Sequence, residues 1–214
     1  MRTALVVLVA LWLASKAVIP ATAETLNFVI TRNGDPIGTS TIEINRTWAD
    51  TTVDTTTHLA VNVLFFTAYR FEQKTSERWS NGHLVALNSM TNNNGTRHKV
   101  AVRTKGGHLE LDADGEHNPL DSDIVPSTLW NPDFLKHPVM LDVQDGQVMP
   151  VTVVDDGVDN LRVGGQAVRA YHYTTNGRYS EDVWYNDQGR LVQVKIIGSD
   201  GSIIFYNLMS SNEI

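Results

Sequence analysis

Eight Asn-Gly or Asp-Gly pairs punctuate this 214-residue chain: Asn33-Gly34, Asn81-Gly82, Asn94-Gly95, Asp114-Gly115, Asp145-Gly146, Asp156-Gly157, Asn176-Gly177 and Asp200-Gly201. Two-residue hairpin turns require positive φ at their centre, which Asn, Asp and Gly adopt at low steric cost. Gly106-Gly107, Gly164-Gly165 and Gln188-Gly189 add three more candidates. From position 81 onward the marks recur every 8 to 13 residues, with one gap between 115 and 145. Strand, tight turn and strand, repeated as an antiparallel meander, is the architecture with that spacing.

The segments between the turns alternate as half-buried strands do. Val53, Thr55, Thr57, Leu59, Val61, Val63 and Phe65 fall on one face. Tyr69, Phe71, Gln73, Thr75, Glu77 and Trp79 share a face in the next segment, with Arg70, Glu72, Lys74, Ser76 and Arg78 opposite. Strands of this length reach about 30 Å or more at ~3.3 Å per residue, and long strands on short turns twist and curl. The fold class expected is all-β with a minor helix, a single curled antiparallel sheet or half-barrel. Residues 116–142 break the rhythm, with Pro119, Pro126, Pro132 and Pro138 among Ile124, Val125, Leu129, Trp130, Phe134 and Leu135. Asn131 caps a short helix with Pro132 first and Lys136 and His137 at its negative end. This segment, near 124–137, is expected to pack over the concave face.

The N-terminus reads as a leader. Arg2 precedes an unbroken apolar run from Ala4 to Ala14, Pro20 breaks any helix, and Ala21-Thr22-Ala23 offers a small-residue cleavage site. The run is shorter than the roughly 20 residues needed to span a bilayer. Residues 1–23 are therefore expected to be a signal peptide and 24–214 a single β domain that is not an integral membrane protein once cleaved. There is no cysteine, which excludes disulfides, thiolate metal sites and a lipidated N-terminal cysteine. An exported chain without disulfides suits the periplasm, or else secretion. The formal charge of −7 argues against nucleic acid as a partner.

No residue set announces a reaction, and no cofactor motif is present. His108, Glu110 and Asp112 share a strand face and are read as its wet side, so no metal is expected. Glu77 lies on an apolar face, where burial raises a carboxyl pKa. A hydrolase would need it to meet Glu181 or Asp182 in one cleft. A buried polar network that binds Glu77 to an inward Arg or Tyr is the reading preferred. The aromatics suggest a lined hollow: a curled sheet encloses more apolar room than one short helix fills.

Phe66-Thr67-Ala68-Tyr69-Arg70-Phe71, Glu77-Arg78-Trp79, Thr91 with Asn94-Gly95, Pro126-Ser127-Thr128-Leu129-Trp130-Asn131 and Val183-Trp184-Tyr185 followed by Asp187 and Gly189-Arg190-Leu191 resemble a bacterial family of exported proteins catalogued as a domain of unknown function. The resemblance spans most of residues 25–208. Its shape is similar to the LolA/LolB lipoprotein carriers, a curved antiparallel sheet with helices over its hollow, with a smaller helical portion here. The resemblance implies a compartment and an architecture and carries no activity.

The function expected is a non-catalytic periplasmic binding or carrier module for a hydrophobic or amphiphilic ligand, a small molecule or a lipid. Phe65, Tyr69, Phe71, Trp79, Trp130, Phe134 and Trp184 line the hollow on this view, and Arg70 or Glu77 orients the ligand's polar end. An envelope assembly protein with a protein partner is the alternative, and the carboxylate hydrolase is third.

Overall fold

The computed structural model describes residues 22–63 and 66–213. The apolar run of the expected signal peptide lies outside them, and so does Phe65.

Eight strands follow one another as hairpins: β1 (Thr22–Arg32), β2 (Asp35–Arg46), β3 (Asp50–Val63), β4 (Phe66–Ser80), β5 (His83–Asn93), β6 (Thr96–Lys105), β7 (His108–Ala113) and β8 (Glu116–Leu120). Residues 121–151 then hold three short strands, β9 (Val125–Pro126), β10 (Val139–Leu141) and β11 (Val148–Pro150), which form a small sheet of their own. Five further strands complete the chain: β12 (Thr152–Val163), β13 (Gln166–Asn176), β14 (Ser180–Asn186), β15 (Leu191–Ile197) and β16 (Ile203–Glu213). β16 pairs antiparallel with β1. The two runs thereby fuse into one thirteen-stranded antiparallel sheet ordered β12-β13-β14-β15-β16-β1-β2-β3-β4-β5-β6-β7-β8. Its end strands, β8 and β12, are not paired with each other, so the sheet is curled and open, as expected of a half-barrel.

Most of the turn dipeptides fold as their chemistry requires, although neither Asn176 nor Gly177 takes positive φ. Asn81 (φ 50°) and Gly82 (φ 81°) both take the left-handed conformation that a type I′ hairpin needs. Asp156-Gly157 departs from expectation. It lies inside β12, where the register shifts between Asp155 and Gly157, and the Gly157 amide bonds the Asp155 carboxylate at 2.9 Å. Positive φ serves a β-bulge there instead of a turn.

One face of the sheet is buried along nearly its whole width. Ile30, Leu87, Val102 and Val183 have no exposed surface. A sheet of this breadth has no second sheet of comparable size to lie against, so residues 121–151, with their small three-stranded sheet, cover its inner face themselves. Leu141 (0 % exposed), Phe134 (2 %) and Met140 (3 %) belong to the same core as the strand residues. The expected short helix is a 3₁₀ turn, Pro132–Lys136, capped by the Asn131 side chain, which accepts from the Asp133 amide. Gly38 marks the tightest approach within the sheet: a Cβ there would sit 2.1 Å from the His58 carbonyl oxygen.

If residues 121–151 are core and not a cover, Leu141→Ala leaves an internal void and costs about 3–5 kcal/mol, as large core truncations do. Urea denaturation measures this; a loss under about 1 kcal/mol would place the segment outside the cooperative core.

Candidate binding cavity

Between the inner face and residues 127–151 the packing is incomplete, leaving a hollow of about 190 Å³. Its floor has two parts. From β1–β4 come Phe28, Ser40, Ile42, Thr57 and Phe71, and from β14–β16 come Glu181, Leu191, Val194 and Tyr206. Leu129, Met140 and Met149 roof it, and Arg178 and Tyr179 stand on it from the turn between β13 and β14. A β-bulge between Trp184 and Tyr185 shifts the register of β14 on β15. Leu191, and not Val192, therefore joins Val194 and Ile196 on the hollow.

The inner face carries a stripe of small polar residues across β2–β5. Ser40 and Thr57 share a hydrogen bond of 2.8 Å, Thr75 and Ser89 one of 3.1 Å, and Gln73 Nε2 donates to Thr91 Oγ1 at 3.0 Å. Direct cross-strand pairing (Ser40↔Thr57, Thr57↔Gln73, Thr75↔Ser89) keeps them on one face. The Thr55 hydroxyl, buried in the cavity wall, has no partner.

Glu181 is the principal charged group of the floor. Pairing sets it opposite Thr175 on β13 and Ile196 on β15, both of which also line the hollow. Among the described residues its carboxylate has no hydrogen-bond or ion-pair partner, and the Tyr206 hydroxyl has none either. Burial, reinforced by the nearby Asp142 carboxyl, pushes Glu181 up to about 7. Burial also raises the Tyr206 phenol, with Glu181 and Tyr69 adding to it. Asp142 is fixed differently. It accepts from the Gln144 amide at 2.8 Å and from Arg178 at 3.0 Å, yet burial still leaves it above the ordinary carboxylate value. Arg178 bonds Asp145 as well, at 2.5 Å, so its charge is shared between two carboxylates.

The aromatic residues singled out from sequence separate into three groups. Phe71 lines the hollow. Tyr69 stands nearby and gives its hydroxyl to Asn93 at 2.8 Å. Trp79, Trp130 and Phe134 fill the core beside it: the two indoles meet edge to face at 5.7 Å, and both donate to Glu77 Oε2, at 2.7 and 3.0 Å. Glu77 is thus the buried hub that ties residues 121–151 to β4, and it is not among the residues that line the hollow. Its donors are indoles, in place of the Arg or Tyr expected. Burial raises its pKa although Trp130, Thr128 and Trp79 pull the other way, and Oε1 lacks a hydrogen bond. Arg70 is exposed on the outer face, as alternation from Tyr69 and Phe71 dictates.

Trp184 also points outward, away from the hollow. It stacks on His172 at 4.2 Å and donates to Asp159 at 2.9 Å. Asp182 faces the same way and accepts from Lys195, His172 and Thr174. Burial would raise the Asp182 pKa, but those donors outweigh it and hold the carboxyl below its usual value. Asp156, His172 and Asp182 bring ligand-type atoms within 4.8 Å of one another. Lys195 and Thr174 already engage the carboxylates, so the group is an ion-pair network on the outer surface. The carboxylates expected of a hydrolase do not converge: Asp182 is on the outer face and Glu77 sits in its indole cage away from the hollow. His108 and Glu110 stand exposed, with Lys105 on Glu110 at 3.1 Å.

A curled open sheet wrapped on its own interior segment, with a part-polar hollow left between them, defines a barrel-like β domain. The chain belongs to the family described as domain of unknown function DUF6134, which matches residues 28–209. It is similar in fold to a β-barrel-like protein of domain of unknown function DUF1849 from Brucella abortus, known from a crystal structure. The TM-score is 0.63 at 9 % identity, over 90 % of this chain and 97 % of that one. No curated protein matches the sequence.

Two measurements check this geometry. Glu181 keeps its proton in the fold up to about pH 7, whereas an unfolded Glu ionises near 4.3. Between those values the unfolded state holds fewer protons, so this residue makes stability fall as pH rises, by up to about 4 kcal/mol in all. Glu181→Gln removes that slope: urea denaturation should find it more stable than wild type by this amount at pH 8 and equal at pH 4. Glu77→Leu strands two buried indole N–H groups and should cost about 2–4 kcal/mol, while Glu77→Gln, which retains an acceptor, should cost less than half as much.

Proposed function

We propose that this domain is a non-catalytic binding or carrier module, exported to the periplasm, that holds a small amphiphilic molecule in the hollow between the sheet and residues 127–151. One observation carries the reading: the hollow combines an apolar wall with unpartnered polar groups, Glu181, Tyr206 and Thr55, that a solidly packed core would pair or exclude. Its volume of about 190 Å³ sets the scale of the ligand. A cavity of ~150 Å³ takes up benzene, and sites for drug-sized molecules run to ~300–1,000 Å³. The occupant is a molecule of about one ring with a short polar arm, and a whole lipid is too large.

Titration of isotopically labelled protein with 2-phenylethanol, a neutral amphiphile of this size, tests the reading. Binding should move the methyl signals of Met140, Met149 and Val194, and Val194→Phe, which fills the hollow, should weaken it by about tenfold or more. Shifts spread over surface residues, or binding indifferent to Val194→Phe in a variant with unchanged thermal unfolding, would refute it. The unpaired edge of β12, with Val154 and Val158 exposed, supports the second reading of an envelope assembly partner, since such an edge is a template for a further strand.

A further inference from the structure

Resting on that binding reading, we infer that the ligand is a small organic cation: a primary ammonium held by Glu181, joined to an apolar, ring-sized body. The charge balance around the hollow points to it. Asp142 and Glu181 both line the cavity, and the guanidinium there, Arg178, is already bonded to Asp142 and Asp145. Glu181 therefore has no counter-charge among the described residues. Glu181 is half-buried, and ionising an unpaired carboxylate drawn partly out of water is unfavourable, whereas Gln would fill the same space without that cost. A residue that weakens the fold in this way is explained when its compensation arrives with the ligand.

The remaining walls fit the same molecule. Phe71 and Tyr206 present aromatic rings, whose faces attract ammonium groups, while the Tyr179 ring already carries the Arg178 guanidinium. The unpartnered Tyr206 hydroxyl and the Ser40–Thr57 pair supply oxygen acceptors for its other N–H groups. Leu191, Val194 and Met140 leave apolar surface for the body. Anionic ligands meet repulsion from two carboxyls. A divalent metal would find one unengaged carboxylate, far short of the six or more oxygens that calcium takes.

The groups facing Glu181 are Asp142 from the interior segment, Tyr206 from β16, Tyr185 on its own strand, and Arg178 and Tyr179 from the β13–β14 turn. The tyrosines are all held above their ordinary values. Glu181, at about 7, is therefore the group that ionises near neutrality. An alkylammonium stays protonated throughout this range, so its capture below pH 7 displaces the proton from Glu181.

Calorimetry with phenethylamine and 2-phenylethanol, on the full chain and on Glu181→Gln, tests this. At pH 8 the amine should bind about tenfold tighter than the alcohol, as a charge-assisted pair does over a neutral one. At pH 5.5, about 1.5 units below the Glu181 midpoint, the amine's advantage should fall by about thirtyfold, with close to one proton released per amine bound. Glu181→Gln should lose the amine preference at both pH values. Equal binding of amine and alcohol by the wild type, or an amine preference that survives Glu181→Gln, overturns the ammonium assignment while leaving the binding module standing. Failure of both probes to bind removes the reading on which it rests.

Discussion

A thirteen-stranded sheet with one apolar face and no second sheet of its own breadth beside it has to bury that face with something. Here the chain supplies its own filling. Residues 121–151 leave the edge at β8, cross the concave side and rejoin at the opposite edge, β12. Covering the inner face with a single irregular segment shapes the whole interior. Loop backbone cannot interdigitate with strand side chains as closely as another strand can. It is secured at particular points: the Trp130 indole on Glu77, the Tyr185 hydroxyl on the Leu129 carbonyl at 2.6 Å, and Arg178 on Asp142. Between those ties a gap remains, and the hollow occupies it.

Two glutamates, Glu77 fully buried and Glu181 half-buried in the wall of the hollow, show how differently the fold treats one residue type. Glu77 receives two indole N–H groups and serves as a fastener. Glu181 receives nothing, sits near a second carboxyl and is pushed up to about 7. Structure alone accounts for the first, because removing the acceptor would strand its donors. The second burdens the fold, as does the orphan Thr55 hydroxyl. Local burdens of this kind gather where a protein waits for something to bind, and stability held elsewhere offsets them. The apolar rows around Ile30, Leu87 and Val102 provide that reserve.

The sheet is largely legible in the sequence because hairpin turns state their backbone requirement locally, in two residues. Asn81-Gly82 reads as a turn whatever it joins. Asp156-Gly157 has the same chemistry, and only its cross-strand partners reveal a bulge. The hollow is less legible, for a packing reason. Large aromatics suggest a lining, but Trp79, Trp130 and Phe134 are large enough to fill space and do so. Voids form where side chains are small, and Ser40 and Thr57 are the better guides. Trp184 and Arg70 follow strict strand alternation and face outward, and a parity count from Glu181 and Phe71 would have placed them there. From sequence Glu181 stands out only as half of a hydrolytic pair. Its lack of a partner depends on where residues 142–145 and 178 lie, 33 to 36 positions apart, and nothing local in the sequence encodes that.

At the centre of the hollow's chemistry stands a single carboxyl that faces a gap without a partner. Its titration can be followed directly through the side-chain carboxyl carbon of Glu181 by ¹³C NMR in ligand-free protein, with Glu181→Gln assigning the resonance. A midpoint close to 7 is predicted. A midpoint near 4.3, the value of a solvated glutamate, would mean that the residue meets bulk water or an unseen cation, and the hollow would lose the feature that marks it as a binding site.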